Sequence, residues 1–261
     1  MSLFGPLAPL RGEPITGMDE ARARKAGFRG HPIATSGEAF LEPLVDLHDA
    51  GIAGENYYHS HRNPPYWQRI AGAIPLLLVR RSVAEKLKRV NARLEAATLE
   101  LFVFDAYRPR AVQAYFHDHW VPRELKRRRP GLTGEALTRE VERYWAAPTR
   151  DAASPAPHAT GAALDLTVRW IGAEFLYMGS LFDDPSEVSH RDRFENLSDA
   201  ALSFSDEEAR ANRRLLHWVM TEEGFAGHPD EWWHFSWGDQ LWAKLTGAPA
   251  ALYGEAEAPS L

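Results

Sequence analysis

Two short segments, far apart in the chain, carry the side chains that one metal site needs, and the fold must therefore bring them together. They are His158-Ala-Thr-Gly-Ala-Ala-Leu-Asp165 and Glu231-Trp-Trp-His234. Together they offer two imidazoles and two carboxylates. Three nitrogen and oxygen ligands leave a fourth position on a zinc ion for water, and a spare carboxylate can take the proton of that water. The two segments therefore form a candidate catalytic metal site.

The composition narrows the kinds of ligand and chemistry that the chain can use. It has 261 residues, enough to bury a substantial core, and no cysteine, which excludes disulfides, thiolate nucleophiles and cysteine-ligated zinc. The formal net charge of −6 gives no electrostatic case for nucleic acid or an anionic membrane. We therefore expect a small-molecule ligand and no nucleic-acid or membrane partner, while no protein partner can be inferred.

The N-terminal residues do not look like a targeting signal. They lack a basic region, and prolines interrupt their apolar stretch. No run approaches the roughly 18 consecutive apolar residues of a membrane span. Because the lack of cysteine also fits a reducing compartment, we expect a cytoplasmic location.

The chain shows no internal repeat, and its organisation follows from changes in composition. Residues 1–40 are rich in glycine, proline and charge, and we expect them to form an arm packed on a body at 41–261. Residues 117–157 are charged and punctuated by prolines. We expect this stretch to be an insertion that shapes the mouth of a pocket.

Capping boxes predict the starts of two long helices. Ser82 with Glu85, and Ser205 with Glu208, each precede apolar residues at helical spacing. The first of these helices is predicted to end near Thr98.

The other elements are mixed without a regular alternation of strand and helix. A buried strand is predicted at 99–104, a helix from Pro109 through Trp120, and one or two surface helices over 123–143, broken at Pro130-Gly131. This pattern favours the α+β class.

The candidate metal residues fall on two further predicted strands. In 163–168, Leu164, Leu166 and Val168 alternate with smaller or polar residues, which presents Asp165 on the face opposite the aliphatic side chains. Gly161 lets the chain bend, so that His158 can fold back toward Asp165.

The segment 232–237 is aromatic and is also predicted as strand. In a regular strand Glu231 and His234 would face opposite sides. We therefore expect a turn or bulge after Pro229-Asp230 that brings both toward one site.

Spacing alone leaves simpler interpretations open. Histidines usually lie on the surface or in a satisfied core position, and we expect this of the nine that are not in the two segments, among them His31, His59, His61, His117, His119 and His217. The basic run at 126–129 is interpreted as a solvated helix face, because the acidic total offers no wider basic surface to extend a nucleic-acid patch.

A third segment, Asp105-Ala106-Tyr107-Arg108-Pro109, follows the predicted strand at 99–104. An arginine between a strand and a proline leaves the strand in a fixed direction, which suits a guanidinium aimed at a pocket. The alternative for Arg108 is a structural ion pair with Asp105.

With these segments together, the chain resembles the zinc D-Ala-D-Ala dipeptidases of the vancomycin-resistance type. These belong to a wider group with D,D-carboxypeptidases and the hedgehog-like zinc fold. The resemblance runs from about Val45 to Trp237, and the matching segments are DAYRP (105–109), HATGAALDLT (158–167), MGSLFD (178–183) and EWWHF (231–235). It implies a single α+β domain with a mostly antiparallel central sheet flanked by helices.

The resemblance also implies roles for individual residues. His158, Asp165 and His234 would bind Zn²⁺, and Glu231 would act as the general base. Arg108 would stabilise charge on the scissile carbonyl.

Two further residues would sense the substrate. Asp183 would help to receive the substrate's free ammonium group, although its alternative is a turn residue in Phe182-Asp183-Asp184-Pro185. Tyr57 is our candidate for a tyrosine that holds the same end.

Two departures from the family pattern fall where substrate is sensed. The family often has a serine two residues before the first zinc histidine, where this chain has Ala156, and Ser154 could replace it only if the loop is rebuilt. The family tyrosine lies near an Asp-Leu motif, but His48-Asp49 follow that motif here, with Tyr57 and Tyr58 further on.

The expected function is zinc-dependent hydrolysis of a small dipeptide, most simply D-Ala-D-Ala, by metal-activated water. The alternatives are a D,D-carboxypeptidase or cell-wall endopeptidase with the same metal chemistry, and a non-catalytic zinc-containing binding module. The chain has neither a GxSxG elbow nor an HExxH helix, so serine-hydrolase and thermolysin-like arrangements have no local support.

Overall fold

The computed structural model describes residues 3–257 and combines a central sheet with flanking helices. Its strands are β1 (Leu44–Asp46), β2 (Ala53–Gly54), β3 (Leu78–Arg80), β4 (Leu99–Asp105), β5 (Ala163–Trp170), β6 (Ala226–Gly227) and β7 (His234–Ser236). Its α-helices are α1 (Ala8–Gly12), α2 (Met18–Lys25), α3 (Arg81–Glu95), α4 (Arg110–Tyr115), α5 (Val121–Arg128), α6 (Gly134–Tyr144), α7 (Phe204–Thr221) and α8 (Gln240–Thr246). Single 3-10 turns lie at Gly5–Leu7, Phe28–Gly30, Ala39–Leu41, Pro157–Thr160, Glu187–Ser189 and Asp199–Ala201.

The strands form a five-stranded sheet in the order β2-β4-β5-β7-β6, and β1 pairs with β3 in a separate ribbon. Only the edge pair β2–β4 of the large sheet is parallel. The pairs β4–β5, β5–β7 and β6–β7 are antiparallel. The expected α+β domain with a mostly antiparallel sheet is confirmed.

The long central strands β4 and β5 are buried on both faces. In β5, Leu164, Leu166 and Val168 are fully buried in the main hydrophobic core, as the alternation predicted. Asp165 points from the opposite face but is buried too, with 1% of its surface exposed. A carboxylate at this depth needs charged or hydrogen-bonding partners, and these lie in the candidate site.

Helix α3 packs its apolar stripe on the sheet, with Val83, Leu87 and Val90 fully buried. The capping box predicted at Ser82 is wrong. The helix begins at Arg81 without a side-chain cap, and the Ser82 hydroxyl donates instead to Oε1 of Glu42, at 2.7 Å. The Ser82 hydroxyl therefore binds Glu42, a residue distant in sequence, and does not cap the helix.

Helix α7 does begin with a capping box, but two residues earlier than predicted. Ser203 and Asp206 form it, in place of Ser205 and Glu208. Both pairs fit the short motif, and tertiary packing of the helix decides between them.

The helices predicted from Pro109 through Trp120 and over 123–143 are present. Pro109 caps α4, which runs through a π-helical turn at Phe116–Trp120 into α5, and α5 and α6 are separated at Pro130-Gly131. The basic run ends α5 as an exposed face, and Arg127 and Arg128 both pair with Glu124.

The N-terminal segment lies against the body along much of its length. The Trp218 indole donates to Glu13 O at 2.9 Å, and Arg22 forms ion pairs with Asp192 and Asp230. Further along, the Arg29 guanidinium donates to Oγ of Ser154 at 3.1 Å. The division into an arm at 1–40 and a body at 41–261, and the insertion at 117–157, remain predictions.

Within the described part of the chain, no helix combines the length and apolarity needed to cross a membrane.

Gly161 ends the 3-10 turn that carries His158, with a φ of +70°. A Cβ at this position would lie 2.3 Å from Cδ2 of Leu44. We expect Gly161→Ala to lower the free energy of unfolding by more than the backbone strain alone, which is about 1–2 kcal/mol. Urea denaturation measures the difference.

The control is Gly172→Ala, since Gly172 has a similar φ of +66° and nothing within 4 Å of the added Cβ. Equal destabilisation by the two substitutions would show that the contact with Leu44 does not constrain this turn.

Candidate functional site

The register of three neighbouring strands brings the candidate residues together. Asp165 on β5 lies directly opposite Asp105 on β4 and directly opposite His234 on β7. A shift in register between Val103 and Asp105 turns the end of β4 toward the same site. His158 reaches this site from the turn just before β5.

Three of the predicted residues form a compact cluster that could hold a metal ion. The ligand atoms of His158, Asp165 and His234 all lie within 4.8 Å of one another, and all three residues are buried. Nε2 of His158 lies 3.1 Å from Nδ1 of His234. Oδ1 of Asp165 lies 3.4 Å from Nε2 of His158 and 3.0 Å from Nδ1 of His234.

The other nitrogen of each ring is engaged outside the cluster. Nδ1 of His158 lies 2.8 Å from the carbonyl oxygen of Ala106, and Nε2 of His234 lies 3.3 Å from Oγ of Ser236. The Ser236 hydroxyl in turn donates to Asp239 at 2.8 Å. A ring that donates outward leaves the lone pair of its inner nitrogen for a metal, so these contacts orient both imidazoles for ligation.

The electrostatics of the cluster also suit a cation. Burial acts to raise the pKa of Asp165, but His158 and His234 outweigh it and hold that pKa well below its usual value. Burial lowers the pKa of His234 to about 4. The carboxylate is therefore ionised and the His234 ring neutral at physiological pH, as metal ligands must be. Burial acts to lower the pKa of His158, but the charge of Asp165 and a hydrogen bond to Asp105 raise it to about 9, so this ring must lose a proton when it binds a metal.

Glu231 lies beside the cluster, at the end of the expected turn. The backbone turns at Pro229-Asp230, and Glu231 N donates to His228 O at 3.4 Å. Oε2 of Glu231 then lies 3.8 Å from Nδ1 of His234. Burial, with the charge of Asp165, raises the pKa of Glu231 well above its usual value. A buried carboxylate of raised pKa next to a metal cluster suits proton transfer.

Arg108 makes the expected ion pair with Asp105 and also borders the cluster. Its Nε donates to Asp105 at 2.9 Å, and its Nη2 donates to Oδ2 of Asp165 at 3.0 Å. The guanidinium carbon lies 4.4 Å from the centre of the Trp145 ring. The ion-pair interpretation of Arg108 is therefore confirmed, and the contact with Asp165 places the same guanidinium beside the cluster.

Asp183 belongs to the same cavity and is held by two tyrosines. The hydroxyls of Tyr58 and Tyr66 donate to its Oδ2 at 2.7 and 2.6 Å. Burial, followed by the charge of Asp165, raises the pKa of Asp183 to about 7. Its φ of +60° also places it in a tight turn, so the turn and site interpretations of this residue coexist.

Tyr57 is not among the residues that line the cavity. Its ring packs 4.7 Å from Phe104 and 5.9 Å from Phe182, measured between ring centres. The neighbouring Tyr58 donates to Asp183 and accepts from Nη2 of Arg108 at 3.3 Å. Whether Tyr57 binds substrate therefore stays a prediction.

The cavity has walls from segments that sequence analysis did not connect with it. Its lining comprises Lys25, Phe28, Arg108, Gln113, Glu142, Arg143, Tyr144, Trp145, Ala146, Pro157, His158, Asp165, Asp183, His228, Glu231, Trp233, His234 and Leu241. Lys25 and Phe28 come from the N-terminal segment, where no local motif marks them. His228, which we grouped with surface or core histidines, is buried with its ring centre 5.5 Å from that of His234.

The loop before His158 does not offer its serine to the cavity. Ser154 accepts from Arg29 through both its hydroxyl and its carbonyl oxygen, and it is absent from the cavity lining. Ala156 is buried between the two prolines. This loop therefore supplies no hydroxyl of its own at the position of the family serine.

Comparisons with known proteins agree with this geometry. Residues 68–248 match the family model described as D-ala-D-ala dipeptidase. A D-alanyl-D-alanine dipeptidase of Synechocystis sp. is 34% identical over 93% of this chain and 92% of its own length. One from Enterococcus faecium is 32% identical over 59% of this chain and 69% of its own length.

Another D-alanyl-D-alanine dipeptidase, from Streptomyces coelicolor, is 29% identical over 76% of this chain and 90% of its own length. Among solved structures, the LdcB LD-carboxypeptidase aligns with 67% of this chain and 66% of its own, at 18% identity and a TM-score of 0.34. A likeness that weak adds nothing to the sequence matches.

Proposed function

This chain is a peptidase of the D-Ala-D-Ala dipeptidase family, and we propose that it hydrolyses D-Ala-D-Ala or a closely similar dipeptide with a bound zinc ion. The observation that carries the proposal is the buried His158–Asp165–His234 cluster with Glu231 beside it. A purely structural site needs no such spare carboxylate. The absence of cysteine supports a cytoplasmic location, which we include in the proposal.

The dimensions of the cluster support zinc. Tetrahedral zinc with bonds of 2.0–2.1 Å places its ligand atoms about 3.3 Å apart. The three separations in the cluster are 3.0, 3.1 and 3.4 Å. Two imidazoles and one carboxylate are also a ligand set that zinc uses in catalytic sites, where the fourth position is left open.

The residues around the cluster supply the remaining chemistry of peptide hydrolysis. When bound, zinc would lower the pKa of its water to about 7 and polarise the scissile carbonyl. Glu231 accepts the proton of the attacking water and passes it to the leaving amine. Arg108 stabilises the negative charge that develops on the carbonyl oxygen. Its contacts with Asp105 and Asp165 hold the guanidinium in place for this role.

Asp183 would receive the free ammonium of the substrate. It is a buried cavity carboxylate with neither a cluster position nor a base role, whereas Glu142 is exposed, and Tyr58 and Tyr66 fix its orientation. An incoming ammonium would favour its ionised form, against the burial that raises its pKa to about 7. Tyr57 would support this end from behind, through its packing on Phe182.

The walls of the cavity favour a dipeptide over a longer peptide, because they place an ammonium receptor inside it. We expect D-Ala-D-Ala to be cleaved with a higher kcat/KM than a pentapeptide that ends in the same two residues. Kinetic assays of both compounds on the zinc-loaded protein test this. A preference for the pentapeptide would instead identify a carboxypeptidase with the same metal chemistry.

Glu231→Gln removes the proposed base while preserving the size of the side chain. We expect kcat to fall by about 10²- to 10⁴-fold, the usual contribution of a general base, with zinc content unchanged. The matched control is Glu174→Gln, at an exposed position outside the cavity. Full activity of Glu231→Gln would overturn the base assignment.

His158→Ala removes one proposed ligand, and we expect purified protein to contain less than the one zinc ion per chain of the unaltered protein. Elemental analysis after dialysis measures the stoichiometry. His61→Ala is the control, because His61 is exposed and outside the cluster. Unchanged zinc content in His158→Ala would count against ligation by this residue.

A further inference from the structure

Lys25 reaches the candidate active site from the N-terminal segment. It is the last residue of α2, and it lines the same cavity as the metal cluster and Glu231. The 3-10 turn that follows brings Phe28 to the same wall, and Arg29 anchors that turn to Ser154. The N-terminal segment therefore completes the cavity with one cationic and one aromatic side chain.

The ammonium group of Lys25 retains hydrogen-bonding capacity. Nζ donates to the carbonyl oxygen of Arg143 at 2.7 Å and to Oδ2 of Asp230 at 3.1 Å. An ammonium has three N–H donors. Among the described residues these are its two hydrogen-bond acceptors, so one N–H remains for a ligand in the cavity.

Lys25 shares its carboxylate partner with two other cations. The single carboxylate of Asp230 is shared by Arg22, Lys25 and Arg143, each at 3.1 Å. Arg22 has a second partner in Asp192, whereas Glu142, which also lines the cavity, is exposed and screened by solvent. Burial lowers the pKa of Lys25, although Asp230 and Glu231 act to raise it. An additional negative charge in the cavity would therefore stabilise the ammonium form.

From this arrangement we propose that Lys25 forms the subsite for the free C-terminal carboxylate of the dipeptide. The inference rests on the proposed function and specifies how the site recognises its substrate. The ammonium of Lys25 donates a charge-assisted hydrogen bond to the carboxylate of the leaving amino acid. Asp183 receives the opposite end, so that the two charges of a zwitterionic dipeptide have separate partners.

Other cations of the cavity are less suited to this role. The guanidinium of Arg108 is shared among Asp105, Gln113, Tyr58 and Asp165. Arg143 lies partly in solvent, with 33% of its side chain exposed, and donates to Asp230. Lys25 combines a side chain that is only 13% exposed, a remaining donor and a place in the cavity wall.

Lys25 borders two cavities. The second, of about 490 Å³, opens between the N-terminal segment and α6, and it shares Lys25, Phe28 and Arg143 with the inner cavity. Lys25 therefore lies in the wall where the two cavities adjoin.

The test compares D-Ala-D-Ala with its C-terminal amide, which lacks the negative charge, on the zinc-loaded full chain. We expect the unaltered protein to prefer the acid over the amide by about 10- to 100-fold in kcat/KM, the effect of one hydrogen bond to a charged group. In Lys25→Met this preference disappears, because kcat/KM for the acid falls by about 10- to 100-fold more than kcat/KM for the amide. Lys25→Arg retains the preference.

The control is Arg24→Met, which removes a cation from the same helix at a side chain that is 51% exposed and should leave the preference intact. If Lys25 only ties α2 to Asp230 and Arg143, Lys25→Met will slow both compounds equally, and the subsite is overturned. Equal kcat/KM for acid and amide in the unaltered protein overturns it without any variant.

A protein that hydrolyses neither compound would contradict the proposed function, and calorimetric binding of the same two compounds then decides the subsite. Tighter binding of the acid that is lost in Lys25→Met supports it, whereas equal affinities overturn it.

Discussion

The position of Asp165 in the antiparallel sheet is the constraint on which the site depends. Its two strand neighbours fix it directly opposite Asp105 on one side and His234 on the other. Because side chains alternate along a strand, a slip of one residue would move Asp165 into the apolar layer formed by Leu164 and Leu166. Burying a carboxylate among aliphatic side chains is costly, so the register of β5 that places Asp165 in the cluster is also the register that avoids this cost.

The same burial explains why the acidic groups of the cavity differ in ionisation. Burial acts to raise the pKa of Asp165, but the two imidazoles that it contacts outweigh burial and hold that pKa well below the usual value. Glu231 and Asp183 lie in the same desolvated space with fewer such partners, so their pKa values are raised, that of Asp183 to about 7. A divalent cation in the cluster would favour the ionised form of both. The cluster that could hold a metal thus contains one strongly acidic group, and two weaker acids lie beside it in the positions proposed for proton transfer and for the substrate.

Local patterns in the sequence predicted most of this centre, and distant contacts account for what they missed. The alternation around Asp165, the glycine at 161 and the turn before Glu231 are short-range features, and each is found in the structure. The cap at Ser82 failed because Glu42, far away in sequence, takes its hydroxyl. The sequence did not predict that Lys25 and His228 lie at the cavity. Their positions there result from packing between segments that share no motif. Tyr57 and Tyr58 are adjacent and chemically alike, and only the direction of each side chain separates Tyr58, which contacts Asp183, from Tyr57, which packs on Phe104.

The N-terminal segment links the closure of the cavity to the placement of Glu231, the proposed base. Asp230, which Arg22, Lys25 and Arg143 hold together, immediately precedes Glu231 in the turn. Any displacement of α2 would weaken two of these three ion pairs and loosen the backbone that aims the Glu231 carboxylate at the cluster. The same displacement would open the wall at Lys25 and Phe28 and admit water, which weakens every charge interaction inside. Electrostatic stabilisation at the cluster and exclusion of water therefore depend on the same few contacts, although these contacts belong to a segment that contains none of the proposed metal ligands and not the proposed base.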